Sequence, residues 1–102
     1  MRRFRNYKED LFRELKNPEE AFYYLQDAFE DEDRRVFLLA IRDVVEAQGG
    51  FTKFSRKAGL SREHLYDVLS LKGNPELNTL KAILDALGFR LSIESKKQKK
   101  AA

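Results

Sequence analysis

The chain has no cysteine. That excludes a disulfide framework, a thiolate nucleophile and a cysteine-based zinc site. Histidine occurs once, as His64, so a metal site built on several histidines is excluded as well. Long apolar stretches are also missing. The longest unbroken run is Val36 to Ile41, far short of the roughly 20 residues that cross a bilayer. Arg2, Arg3 and Arg5 have no apolar segment behind them, so a secretory leader is not expected. The 102 residues are one small domain's worth of material, enough to close one core without staples. Together these absences predict a cytoplasmic single domain with no membrane contact.

Charge, by contrast, is plentiful and unevenly placed. Charged residues make up 36% of the chain, against about 25% in ordinary soluble domains. The net charge is +3, yet residues 1–33 hold six basic and ten acidic side chains. Residues 34–102 hold 14 basic and seven acidic ones. Between 18 and 33 stand Glu19, Glu20, Asp27, Glu30, Asp31, Glu32 and Asp33, with no base among them. An acidic segment joined to a basic one suggests partners of opposite charge, or a separate face for each. A solvated helical face is the lesser alternative for the acidic segment taken alone.

Apolar spacing reads as helix after helix. Tyr7, Leu11, Phe12 and Leu15 predict a short amphipathic helix over 7–15. Asn17-Pro18-Glu19-Glu20 is a helix start, with Asn as cap, Pro in the first turn and acids complementing the dipole. Ala21, Phe22, Leu25, Ala28 and Phe29 form the stripe of that helix. It assigns Phe22 and Phe29 inward and leaves Tyr23, with Tyr24, outside. Asp31-Glu32-Asp33 opens a third helix carrying Phe37, Ala40, Ile41, Val44 and Val45. Val36, Leu38 and Leu39 widen its stripe into a central core helix, and Gly49-Gly50 stops it. A brief helix follows over 52–58, then a turn at Gly59-Leu60. Ser61 caps a helix to about Leu71. Asn78 is expected to cap a last helix from Thr79 to Leu87, ended by Gly88. Phe89 to Ile93 alternates apolar and polar, which predicts a strand within a short segment 89–95. It could pair across a two-fold axis or with the chain near Phe4. Residues 96–102 are lysine-rich and expected to be a basic disordered tail. The predicted class is therefore all-α. An acidic helical extension (1–33) precedes a helix-turn-helix domain (34–88), followed by the short strand and the tail.

The stretch 51–70 carries the functional signal. Two short helices about a glycine turn make a helix-turn-helix. Ser55 and Ala58 are small where the helices must cross. Gly59 suits a left-handed turn position, Leu60 plugs the core, and Leu65, Val68 and Leu69 form an inner face. A recognition helix presents its first residues to base edges in the major groove. Arg62 is the leading base reader, because its fork matches guanine O6 and N7. Ser61, Glu63 and Tyr66 share its reach. Lys53, Arg56, Lys57 and Lys72 cluster around the motif as phosphate contacts, and the backbone N–H groups that start both short helices can add to them. The partner would be double-stranded DNA, read by a homodimer because one motif copy covers only a few base pairs. His64 is expected to be a packing or phosphate-contacting residue. No nucleophile–base arrangement forms around it, and no phosphate-binding glycine loop is present. The expectation is a binding protein, not an enzyme, without cofactor or metal.

Residues Arg34 to Gly88 resemble the lambda-repressor/Cro-like helix-turn-helix family. The resemblance extends upstream through "NPEEAFYYLQDAFED". With Gly59-Leu60-Ser61-Arg62, Leu65-Tyr66, Gly73-Asn74-Pro75, Thr79-Leu80 and Ala86-Leu87-Gly88, about 75 residues in all, the chain resembles HigA-type antidote (antitoxin) proteins of addiction modules. Ser55 stands where alanine is usual, and the lysine-rich tail lies outside the pattern. The resemblance implies an antitoxin of a type II toxin–antitoxin module that represses its own operon and neutralises a small basic toxin. A stand-alone helix-turn-helix regulator with no toxin is the alternative. The acidic segment makes Glu19, Glu20, Tyr23 and Asp27 the expected toxin contacts.

Overall fold

A computed structural model describes residues 7–97 of the chain. Arg2, Arg3, Phe4 and Arg5, and residues 98–102 of the expected tail, lie outside the described residues. Up to Ala86 the described residues form α1 (Tyr7–Leu15), α2 (Pro18–Phe29), α3 (Arg34–Ala47), α4 (Phe51–Ala58), α5 (Arg62–Val68) and α6 (Leu77–Ala86). Their starts follow capping chemistry. The Asn17 side chain accepts from the N–H groups of Glu19 and Glu20, with Pro18 behind it. Asp33 accepts from the Arg35 N–H, and Ser61 Oγ accepts from the His64 N–H at 3.0 Å.

Helix α3 is the centre of the fold. Ile41, Val44 and Val45 are fully buried. Helices α1 and α2 pack on α3 and on each other; α4 packs on α3, α5 and α6. Polar ties lock the layers. Tyr24 Oη donates to Asp43 Oδ2 at 2.7 Å, joining α2 to α3. Gln48 Nε2 donates to the Leu15 carbonyl at 3.1 Å, which satisfies an acceptor left open at the end of α1. Arg34 Nη2 reaches the Gly73 carbonyl at 3.2 Å, fixing the loop after α5 to the start of α3.

Several expectations need correction. Phe89 to Ile93 is not a strand; it runs as irregular chain, and no strand occurs among the described residues. A strand needs a neighbouring backbone to complete its hydrogen bonds. Here Phe89 and Leu91 turn onto the helical core while Ile93 is 99% exposed. Glu76, not Asn78, is the cap position of α6, and it offers no side-chain hydrogen bond. Helix α5 stops at Val68, with Leu69 as its cap, rather than near Leu71. In α3, Leu38 is buried but Val36 and Leu39 are exposed, so the apolar stripe is narrower than its composition suggests. In α2 the covered stripe is Ala21, Leu25 and Ala28, whereas Phe22 and Phe29 are exposed and Tyr24 is turned inward. Lys96 and Lys97 are helical, at the start of the expected tail. No described helix is long and apolar enough to cross a membrane.

Candidate functional site

Helices α4 and α5 meet through a glycine turn whose geometry the local sequence imposes. Gly59 adopts φ +73°, a left-handed conformation that a side chain would oppose. Its N–H bonds to the Arg56 carbonyl, and the Leu60 N–H bonds to the Ser55 carbonyl at 3.0 Å. This pair of bonds closes α4 and turns the chain sharply into α5. Ser55 is buried as the small-residue requirement asked, and its hydroxyl donates to the Thr52 carbonyl at 2.9 Å, so no polar atom is stranded. Leu65, Val68 and Leu69 hold the inner face of α5 in the core.

The opposite face is polar and open. Ser61, Arg62, Glu63, His64 and Asp67 are all exposed. Ser61 Oγ already accepts the cap bond, which leaves its hydroxyl proton free to donate outward. Lys53, Arg56 and Lys57 are exposed on α4, and Lys72 is exposed in the loop after α5. The four cations flank α5 in sequence on both sides. His64 is not packed between helices. With Asp67, Lys72 and Asn74 it lines a polar trough of about 420 Å³.

Tyr66 departs from a freely projecting residue. Its ring stacks on Phe51 with centroids 4.1 Å apart and planes 9° from parallel. Two guanidinium groups lie over the same ring, Arg62 at 5.5 Å and Arg42 at 5.5 Å. Arg42 also lies 5.8 Å from the Phe51 ring. The aromatic pair thus forms a platform that restrains Arg62 at the start of α5 and brings Arg42 of α3 beside it. Sequence reasoning missed Arg42, because nothing in the spacing of α3 relates it to α5.

Glu19, Glu20, Tyr23 and Asp27 are exposed along α2. Beside them lies a feature that sequence reasoning missed. Phe22 and Phe29 flank a groove of about 390 Å³, lined also by Leu25, Phe37, Leu84, Phe89 and Leu91. The Phe29 ring meets Phe37 edge-on at 4.8 Å, and Phe22 lies 6.0 Å from Phe89. The available signal was the seven-residue spacing of Phe22 and Phe29 at the margin of the α2 stripe. Nothing local showed that this margin stays uncovered. No group of three or more metal-ligating side chains occurs among the described residues.

Residues 6–95 match the protein family described as "Probable addiction module antidote protein". The chain belongs to that family. A curated protein of Haemophilus influenzae, described as "Uncharacterized protein", is 31% identical over 85 residues, covering 83% of this chain and 87% of that relative. No solved structure is matched.

Proposed function

We propose that this chain is the HigA-type antidote of a toxin–antitoxin module, a binding protein and not an enzyme, with a second role as repressor of its own operon. Toxin binding follows from the family. DNA binding rests on one observation: exposed Lys53, Arg56, Lys57, Arg62 and Lys72 cluster about a short helix whose other side is fully committed to the core. In this reading α4–α5 is the helix-turn-helix and the outer face of α5 enters the major groove. Arg62 and Glu63 address base edges, and Ser61 donates at the groove margin. The lysines and Arg56 hold phosphates and supply affinity without sequence preference. Glu63 and Asp67 repel the backbone of a misplaced duplex and sharpen selection. A homodimer would set its two recognition helices about 34 Å apart on a palindromic site.

The test is fluorescence anisotropy with duplexes from the region upstream of the gene and with random duplexes of equal length. The upstream site should bind at least about 1,000-fold more tightly near physiological salt. Equal affinity for both duplexes would remove the repressor role and leave toxin neutralisation standing alone.

A further inference from the structure

We propose that the aromatic groove between α2 and the chain after α6 is the seat of the toxin, and that it receives apolar side chains from a basic segment of that partner. The inference rests on the antidote reading and names the surface that serves it. Phe22 and Phe29 are 42% and 57% exposed, and theirs are the exposed rings that border a concave apolar surface. They stand seven positions apart on one side of α2, above a floor built from Phe37, Leu84, Phe89 and Leu91. Half-exposed aromatic rings around a concave apolar floor are the arrangement in which interface binding energy concentrates.

Charge selects the occupant. The α2 wall belongs to the segment 18–33, which carries seven acids and no base. Glu30 lines the groove itself, and Arg90, Glu94 and Lys96 on the other wall carry mixed charge. A second copy seated there across a two-fold would bring one acidic run against another, and like charges in apposition oppose such a contact. Nucleic acid is disfavoured for the same reason. Residues 98–102 offer only Gln, Lys and Ala side chains, too small or too polar to fill an aromatic groove. A cationic protein surface with apolar anchors fits the acidic α2 wall and the apolar floor. None of the groove's lining residues belongs to α4 or α5, so toxin and DNA would occupy separate faces.

The experiment uses the full chain and the purified product of the gene adjoining its own, with affinity read by calorimetry. Phe22→Ser combined with Phe29→Ser should weaken binding by about 30-fold or more. Phe29→Arg, a single exposed change that places a cation before a cationic partner, should do the same while the circular-dichroism melt stays close to that of the unaltered chain. Glu30→Lys should slow association at low salt and leave it nearly unchanged at high salt. Unaltered affinity in both phenylalanine variants would overturn the proposal. So would conversion of an oligomer to monomer with toxin affinity retained, which would assign the groove to a second copy. If the unaltered chain fails to bind the neighbouring product at all, the antidote reading for that pair fails and the occupant with it. Capture of the toxin by the unaltered chain but equally by the variants sinks only the groove.

Discussion

At Gly73 a side chain has nowhere to go. An added Cβ would fall onto the Val68 carbonyl and lie 3.0 Å from the Ser70 oxygen, and both obstacles are backbone. The same residue anchors the loop through its N–H to Ser70 and its carbonyl to Arg34. Gly73→Ala should therefore destabilise the fold by about 1–3 kcal/mol in urea melts, as overpacking does. Tyr24 illustrates a different constraint. Burial, then the hydrogen bond to Asp43 and that residue's charge, push its phenol well above its ordinary range. The protonated form is the folded partner, so its contribution is complete below pH 10 and is lost only as alkaline pH approaches the raised value. Tyr24→Phe should cost about 1 kcal/mol and abolish that alkaline loss, measured by thermal melts across pH. Arg62 and Tyr66 act as a unit in the proposed reading. A double-mutant cycle of Arg62→Ala and Tyr66→Leu on operator binding should show coupling of about 0.5–1 kcal/mol. Additive losses would mean that the ring does not position the guanidinium.

Among the elements, α3 begins on a pH-sensitive cap. The Arg35 guanidinium, then its backbone N–H, bonds to Asp33 and holds that carboxyl at about 2, below its ordinary 3.8. The folded value is the lower one. Its contribution is thus present above about 3.8 and disappears as pH falls towards about 2. Asp33→Asn keeps a capping oxygen but loses the ion pair with Arg35, whose Nη2 lies 2.7 Å from Oδ2. Melting temperatures of the two proteins should differ at pH 5 and converge near pH 2. Helix α5 is only seven residues long, and Ser61 Oγ supplies the side-chain cap bond at its start. Ser61→Ala should destabilise the protein by about 1 kcal/mol. Helix starts were legible from sequence wherever such a side chain does the capping, as at Asn17, Asp33 and Ser61. At α6 the backbone enters the helix from Glu76 without a side-chain bond, so the Asn78 signal pointed two residues too late.

For the whole molecule, the N-terminal segment is net acidic and the remainder net basic, which in the proposed reading suits a basic toxin and DNA respectively. Operator binding should weaken steeply with salt, and Lys57→Ala should lower the slope of log K against log salt by about one phosphate's worth. Composition, helical periodicity and capping residues by themselves determined the all-α class, the helical segments α1 to α6 and the glycine turn between α4 and α5. Each of these depends on bonds or contacts made within a few residues. The tertiary structure alone decided which margins of those helices are covered. The seven-residue spacing of Phe22 and Phe29 is the same whether a neighbour lies over them or solvent does. Only the paths of α6 and the chain after it leave the two rings at a groove, and only the position of α3, through Asp43, turns Tyr24 inward. The alternation from Phe89 to Ile93 likewise satisfies the strand pattern, but pairing needs a second backbone in register, and the fold brings none alongside. Arg42 comes to lie over Tyr66, 24 positions away in sequence, because α3 and α5 converge on Phe51. That proximity is a property of packing between helices, and no local pattern encodes it.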